Sequence, residues 1–253
     1  MNKVLWITGA GKGIGRAVAL KYASEGWIVA VSSRTEKDLL KLKEESKFLS
    51  NKDLIHCFPM DITSKVSYQE TYNIIKSKLS IPTQIIFNAG THLPSPIQKF
   101  SSELHQNLID INYLGTVYGI ETVLPDLLSK NNGHIGVVAS VAGYRGLPKS
   151  SAYGASKAAL INLCESLNIE LDKKNIFISL INPGFVKTPL TDKNKFPMPF
   201  LISADEAASK IYKGMGDKKF EIIFPRFFVF LLKLLRIIPY SVYFKIIKKY
   251  INV

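Results

Sequence analysis

The sequence predicts an α/β domain built around a doubly wound parallel β-sheet. Short apolar runs alternate with segments of helical periodicity along most of the 253 residues, and glycine or small polar residues follow several of the runs. Strands are predicted over 4–7, 27–31, 54–58, 84–87, 134–139 and 177–181, and helices over 17–24, 36–49, 64–78, 101–125 and 151–171. Such sheets bind ligands beyond the carboxyl ends of their strands, so the candidate site is expected there.

The composition is that of one large domain in a reducing compartment. Cys57 and Cys164 are far apart, and neither a Cys-x-x-Cys motif nor a histidine cluster indicates a disulfide framework or a metal site. The chain passes from Met1 almost directly into an apolar strand, so we expect no export signal and a cytoplasmic location. The formal net charge is +13, but no nucleic-acid motif accompanies it, and nucleic acid is not an expected partner.

The first predicted strand leads into the glycine-rich segment 8–15, TGAGKGIG, and then into a helix. Strand, glycine turn and helix in this order surround an anion with backbone N–H groups at the positive end of the helix. The glycine spacing is T-G-x-x-x-G-x-G, with Gly9, Gly13 and Gly15. A tight turn without a ligand is the alternative, but four glycines in seven positions favour cofactor binding.

The residues after the second predicted strand indicate which nicotinamide cofactor binds. At this place an acidic residue binds the adenosine ribose, whereas an arginine accommodates a 2′-phosphate. Ser33 holds the acidic position, Arg34 follows it, and Lys12 adds a second cation. Both cations could simply be exposed; the pattern nevertheless predicts NADPH over NADH.

Candidate cofactor contacts also follow the third and fourth predicted strands. Asp61, followed by Ile62, can accept a hydrogen bond from an adenine amino group, although it could equally cap the next turn. Small residues at 88–90, Asn-Ala-Gly, let the backbone approach the cofactor ribose. Asn112 interrupts the apolar face of a predicted helix, and it is either a structural amide that bends the helix or part of a proton relay.

The fifth predicted strand ends at Ser140, and Tyr153 and Lys157 follow on one face of the next helix. An ammonium one turn from a phenol lowers the tyrosine pKa, which makes the phenol a usable proton donor to a carbonyl oxygen. Tyr72 and Lys76 have the same spacing, but no strand ends before them. We therefore expect Tyr72 to be a half-buried helix residue without a catalytic role.

After the sixth predicted strand, Pro183 and Gly184 turn the chain at the same sheet edge, and Thr188 is expected to hydrogen-bond the nicotinamide amide or the pyrophosphate. Residues 189–202 are rich in Lys, Asn and Pro and lack periodicity, which predicts a mobile lid over the substrate. The capping box at 203–206, Ser-Ala-Asp-Glu, begins a further helix.

Together these motifs resemble the short-chain dehydrogenase/reductase family, in its common branch of about this length. The likeness runs from residue 3 to about 224, and its six elements, in order, are TGAGKGIG, Arg34, Asp61, NAG at 88–90, the set Asn112, Ser140, Tyr153 and Lys157, and PGFVKT at 183–188. Each element alone is weak evidence for the family, but all six in this order are strong evidence. The resemblance implies a Rossmann-type catalytic domain over residues 1–224.

The resemblance also implies roles for the site residues. Tyr153 would be the general acid or base, Lys157 would lower its pKa and hold the nicotinamide ribose, and Ser140 would bind the substrate oxygen. Asn112 would anchor a water that relays protons through Lys157. The hydride would come from NADP(H), without a metal. The implied cofactor contacts are Gly9, Lys12, Gly13, Ile14, Gly15, Ser33, Arg34, Asp61, Ile62, Asn88, Ala89, Gly90, Tyr153, Lys157, Pro183, Gly184, Val186 and Thr188.

The tail, residues 225–253, departs from the short ending usual in the family. Its segments 227–238 and 240–251 are apolar and basic, and Pro239 joins them. The first is too short and too charged to span a bilayer. Two basic amphipathic helices of this kind are typical of an anchor on anionic lipid, so residues 226–253 are expected at a membrane surface. Packing on the protein itself and a dimer contact are the alternatives.

The sequence thus predicts an NADPH-dependent oxidoreductase that interconverts a ketone or aldehyde and an alcohol, in a homo-oligomer. A membrane-adjacent tail suits a lipophilic substrate. The alternative is a regulator or scaffold of the same fold that senses NADPH without turnover. Such a sensor would need the glycine loop but not the set Ser140, Tyr153 and Lys157.

Overall fold

One parallel sheet organises the computed structural model, which describes residues 3–48, 53–193 and 198–250. Its strands are β1 Val4–Thr8, β2 Ile28–Ser32, β3 Ile55–Cys57, β4 Gln84–Phe87, β5 Gly133–Val138, β6 Ile176–Pro183 and β7 Glu221–Phe224. Within the described residues they form a seven-stranded sheet in the order β3-β2-β1-β4-β5-β6-β7, with every neighbouring pair parallel. The order reverses between β1 and β4, which opens a crevice at their carboxyl ends. The predicted Rossmann-type sheet is confirmed, and β7 is a strand that the sequence reasoning missed.

Helices cover both faces of this sheet. They are α1 Gly13–Ser24, α2 Glu36–Ser46, α3 Lys65–Lys78, α4 Ser102–Ile109, α5 Gly115–Lys130, α6 Ser151–Leu171, α7 Ala204–Gly216, α8 Arg226–Ile237 and α9 Tyr240–Tyr250. The prediction of a helix to residue 49 was too long, because α2 ends at Ser46; residue 49 itself lies outside the described residues.

The core lies on both sides of the strands, as their continuous apolar runs require. Alternate residues of β1 point to opposite faces: Trp6 packs with the cluster under α3 and α5, while Leu5 and Ile7 pack with the cluster under α1 and α7. Tyr72 stacks on the Trp6 ring at 5.7 Å and is buried rather than half-buried. Its place in the core gives it no access to the crevice.

The segment predicted as one helix over 101–125 is interrupted by a wider turn. A π-helical stretch, Asp110–Leu114, connects α4 to α5 and contains Asn112. The predicted end at Pro125 was wrong, because α5 accommodates this proline and continues to Lys130. The π turn therefore fixes where the Asn112 side chain points.

The tail residues that the structure describes form α8 and α9, which meet at Pro239. They pack against the loops that follow β5 and β6. In the described part of the chain, no helix combines the length and apolar character that crossing a bilayer requires.

Candidate active site

A cleft of about 400 Å³ opens at the carboxyl edge of the sheet. The predicted site residues that line it are Gly9, Lys12, Gly13, Ile14, Ser33, Arg34, Asp61, Ile62, Asn88, Ala89, Gly90, Ser140, Tyr153, Lys157, Pro183, Gly184, Val186 and Thr188. Two predicted residues, Gly15 and Asn112, do not line the cleft and lie behind the residues that do. The common edge of parallel strands explains why residues so distant in sequence meet in one cleft.

The glycines of the 8–15 loop allow close approach of backbone segments. Gly9 has a φ of +66°, and an added Cβ there would lie 2.6 Å from the Cα of Ala89. Gly15 has a packing role, because its Cβ would lie 2.4 Å from the Asn88 Nδ2 atom. That amide donates to the carbonyls of Thr8 and Gly9 at 3.0 and 3.1 Å, so Asn88 ties the loop to the end of β4.

The start of α1 suits a phosphate. No side chain caps this helix: the residue before it, Lys12, is extended and makes no side-chain capping hydrogen bond. The N–H groups of the first turn, at Gly13 and Ile14, therefore lie at the cleft with the positive end of the helix behind them. This arrangement fits the pyrophosphate of a dinucleotide.

Asp61 caps a turn, as the structural alternative proposed. Its Oδ1 atom accepts hydrogen bonds from the Thr63 backbone N–H at 2.9 Å and from the Thr63 hydroxyl at 2.8 Å. The backbone hydrogen bond from Thr63 is the main cause that holds the pKa of Asp61 below its ordinary value, and the charge of Arg34 contributes. The carboxylate still borders the cleft, so capping does not remove it from the site.

Asp38 is a cleft residue that sequence reasoning missed. It lies on α2, and its carboxylate is 3.1 Å from the Lys12 ammonium. The side chain of Lys12 is 66% exposed, whereas that of Asp38 is 19% exposed. One of the two cations expected to receive a 2′-phosphate therefore already has an acidic partner.

Ser140, Tyr153 and Lys157 converge on the inner end of the cleft. The Ser140 side chain accepts from the Ala142 N–H at 3.1 Å and is hydrogen-bonded to the Tyr153 hydroxyl. The Lys157 ammonium lies 5.8 Å from the centre of the Tyr153 ring and donates to the Val138 carbonyl at 2.8 Å. These three side chains can present an O–H donor and a cation to one reacting oxygen.

Burial sets the pKa values of this group. It raises the pKa of Tyr153, and the hydrogen bond with Ser140 lowers it by less. Burial lowers the pKa of Lys157 to about 8. The expected lowering of the Tyr153 pKa was therefore wrong for this structure, because desolvation of the phenolate outweighs the favourable interactions. The phenol is held in its protonated form, which is the form that donates.

Asn112 is buried, and its side-chain amide makes three hydrogen bonds. Its Nδ2 atom donates to the Thr91 carbonyl at 3.0 Å and to the Ser156 hydroxyl at 2.9 Å, and its Oδ1 atom accepts from the Thr91 N–H at 2.8 Å. A Cβ added to Gly90 would lie 3.1 Å from Oδ1 and 3.5 Å from the Lys157 ammonium. Asn112 and Lys157 are thus neighbours across Gly90. The hydrogen bonds fit the structural alternative for Asn112, and the proton relay stays a prediction.

His92 is a second residue that the sequence did not indicate. Its ring meets the Tyr153 ring edge to face, with centroids 4.7 Å apart. It lies beyond the Asn-Ala-Gly turn on the loop after β4, where only the three-dimensional structure brings it beside Tyr153.

Both ends of the predicted lid are fixed to each other. The Lys187 N–H donates to the Ile202 carbonyl at 2.9 Å, and the Ile202 N–H donates to the Phe185 carbonyl at 3.1 Å. Thr191 is bonded back to Val186 and Thr188. The prediction that 189–202 is mobile is untested, and residues 194–197 lie outside the described residues.

The described residues contain no cluster of three His, Cys, Asp or Glu side chains able to hold a metal ion. Among the described residues of the cleft, Ser140, Tyr153 and Lys157 supply hydrogen-bond donors and a positive charge. The glycine turn, the uncapped helix start and the cations at the outer end all suit a nicotinamide dinucleotide.

Comparisons with known proteins agree with this geometry. The family model described as short chain dehydrogenase matches residues 3–197. An uncharacterized oxidoreductase of Myxococcus xanthus (strain DK1622) is 32% identical over 219 residues, which cover 87% of this chain and 86% of the relative. A short chain dehydrogenase/reductase from Burkholderia phymatum, solved with NAD, has a TM-score of 0.84 at 23% identity and covers 92% of both chains. A short-chain dehydrogenase from Sphingobium yanoikuyae, solved with NADPH, has a TM-score of 0.80 at 22% identity and covers 88% of both chains.

Proposed function

We propose, since this chain belongs to the short-chain dehydrogenase family of oxidoreductases, that it is an NADPH-dependent carbonyl reductase. The observation that carries the proposal is the convergence of Ser140, Tyr153 and Lys157 in a cleft that also contains the glycine turn. When bound, the cofactor supplies a hydride to the carbonyl carbon. Tyr153 supplies the proton to the carbonyl oxygen, so that a ketone or aldehyde becomes an alcohol.

Each remaining side chain has a part in this reaction. Ser140 orients the carbonyl oxygen toward the Tyr153 hydroxyl. Lys157 would hold the ribose of the cofactor, and its ammonium would return a proton to the tyrosine after each turnover. Asn112 holds the Thr91 backbone and the helix position that keep Lys157 in place, and a water beside it completes the relay.

The preference for NADPH is supported by residues at the outer end of the cleft. Ser33 leaves room for a 2′-phosphate where an acidic side chain would repel it, and Arg34 and Lys12 supply positive charge. Asp38 opposes this preference, because it is the acidic partner of Lys12. On this proposal Lys12 exchanges the Asp38 carboxylate for the phosphate when NADPH binds.

The first test is NADPH consumption against aliphatic, aromatic and lipid carbonyl compounds, with Tyr153→Phe as the paired variant. We expect turnover that falls by a factor of about 10² to 10⁴ in the variant while NADPH binding, followed by its fluorescence, is kept. NADPH binding without turnover of any compound would favour the sensor alternative. Absence of binding would contradict the cofactor assignment.

Three further parts of the proposal come from the sequence. The enzyme acts in the cytoplasm, it assembles as a dimer or tetramer, and residues 226–253 bring it to a membrane surface. The aromatic residues beside the cleft support a lipophilic substrate, because Phe185 and Phe228 have ring centroids 5.5 Å apart at the turn that carries Gly184.

A further inference from the structure

Helix α8 is apolar on two opposite sides, and only one of them is covered by the protein. Val229 is fully buried, and Phe228 and Leu232 pack against the core. The outer face of α8 consists of Phe227, Phe230, Leu231, Leu234 and Ile237, which recur at helical spacing and are 41% to 78% exposed. Isolated exposed apolar residues are ordinary, but a contiguous stripe of five marks an interaction surface.

The outer face continues onto α9 and the lid. Tyr240 and Phe244 are exposed on α9 and stack on each other at 5.8 Å, while Tyr243 and Ile247 are buried on its inner side. Phe200 of the lid is also exposed, and its ring lies 5.8 Å from that of Phe227. One apolar surface therefore extends across both helices of the tail and reaches Phe200 in the predicted lid.

The charged residues of the tail have a single sign. Residues 225–253 contain six basic and no acidic residues. Lys233 is paired with Glu221, whereas Arg226, Arg236, Lys245 and Lys248 are exposed. A second copy of the chain meeting this face in an isologous dimer would place these cations against one another. An anionic lipid surface is complementary to both the charge and the apolar stripe.

Contacts with the catalytic loops fix the orientation of the tail. Arg145, five residues beyond Ser140, donates to the carbonyls of Leu235, Arg236 and Ile238 at the end of α8. Its guanidinium also lies 4.0 Å from the centre of the Tyr243 ring.

At the other end of α8, Phe228 reaches the turn after β6. A Cβ added to Gly184 would lie 3.0 Å from the Phe228 ring. The tail is thus held across the two loops that form the inner end of the cleft, and its outer face looks away from the core.

We propose that α8 and α9 dock on an anionic bilayer through this outer face and place the cleft mouth at the lipid surface, where a lipophilic carbonyl substrate enters. Docking on the bilayer depends only on the exposed residues of the tail. Entry of a lipophilic carbonyl substrate rests on the proposed reductase function.

Vesicle sedimentation with the full chain tests whether the tail docks on an anionic bilayer. The probes are vesicles of phosphatidylglycerol with phosphatidylcholine and vesicles of phosphatidylcholine alone. We expect binding to the anionic vesicles that weakens with salt, and little binding to the zwitterionic ones.

Two double variants locate the binding surface. The Phe230→Ser, Leu234→Ser variant removes apolar contact with the bilayer, and the Lys245→Gln, Lys248→Gln variant removes two cations. Both should weaken vesicle binding, the second on the order of 10- to 30-fold. The matched controls should not change it: Ile169→Ser removes an exposed apolar residue on α6, and Lys173→Gln with Lys174→Gln removes two exposed cations elsewhere. If both tail variants bind anionic vesicles as tightly as the parent protein does, the proposal is overturned. The proposal is also overturned if the parent protein is a dimer that does not bind vesicles and the tail variants are monomers in size-exclusion chromatography.

An activity measurement separates docking from catalysis. The Phe230→Ser, Leu234→Ser variant should reduce a water-soluble ketone at the parent rate and a vesicle-embedded ketone on the order of tenfold more slowly. Equal loss with both ketones would overturn delivery from the bilayer. Vesicle binding without turnover of either ketone would support docking and contradict the reductase function.

Discussion

Replacement of Asp38 by asparagine tests the proposed preference for NADPH over NADH. The Asp38 carboxylate is 3.1 Å from the Lys12 ammonium, and the 66% exposure of Lys12 means that the pair itself stabilises the protein by less than about 1 kcal/mol. The amide keeps the shape of the side chain and removes its charge. Folding should therefore be little affected, while the electrostatic field at the outer end of the cleft changes.

The size of the effect follows from Coulomb's law. Two unit charges about 4 Å apart interact by about 1 kcal/mol in water, and a phosphate monoester carries a charge of about −1.5 to −2. A 2′-phosphate that binds Lys12 comes close to Asp38, so the carboxylate should cost NADPH roughly 1 to 2 kcal/mol. We expect kcat/KM for NADPH to rise about 5- to 30-fold in Asp38→Asn, and kcat/KM for NADH to change little.

Steady-state kinetics with both cofactors, at low and high salt, measures this effect. The control is Glu44→Gln, which removes an exposed acid near the other end of the same helix, α2, and outside the residues that line the cleft. A selective fall in kcat/KM for NADH in Asp38→Asn would refute the reasoning. That result would show that Asp38 binds the ribose hydroxyls and that NADH is the cofactor.

Three other predictions concern pH and packing. Because burial lowers the pKa of Lys157 to about 8, carbonyl reduction should slow as the pH rises through that value and the amine loses its proton, which a kcat/KM profile from about pH 6 to about pH 10 would measure. A rate that stays constant through this range would contradict the role of the ammonium. Burial also lowers the pKa of His134 to about 4 from its ordinary 6.5, so its contribution to stability is complete above pH 6.5 and decreases as the pH falls toward 4. Urea unfolding should show about 2 kcal/mol of this loss by about pH 4.5, and His134→Gln should remove that part of the pH dependence. Finally, Gly119→Ala should destabilise the fold by about 1 to 3 kcal/mol, because its Cβ would lie 2.2 Å from a ring carbon of the buried Phe87; Gly216→Ala, whose Cβ meets nothing within 4 Å, is the control in the same unfolding assay.

The sheet and the cleft could be predicted because parallel strands carry a strong local signal. β2 and β5 are buried on both faces, so nearly all of their residues are apolar, and the residues that end them must lie at one edge. β7 was missed because it is only four residues long and begins with Glu221. That carboxylate is tolerated because Tyr144 and Asn182 donate to it and Lys233 pairs with it, which no local pattern reveals.

The finer features of the site depend on contacts between distant parts of the chain. Asp38 enters the cleft only because α2 packs beside the glycine loop, and His92 meets Tyr153 only because two loops converge. The direction of the Tyr153 pKa shift was predicted wrongly for a related reason. The spacing of Tyr153 and Lys157 indicates their proximity, but the depth of burial decides which protonation state is favoured.

The position of Asn112 depends on the extra residue in the π turn at Asp110–Leu114. A π turn accommodates one residue more than an α-helical turn, so removing one residue there would restore a regular helix and leave α4 and α5 close to their present orientation. The deletion would instead change the turn that carries Asn112, and this side chain would lose its hydrogen bonds to Thr91 and Ser156. The length of this turn is therefore a requirement of the site as well as its composition, and a single-residue deletion here should reduce activity more than stability.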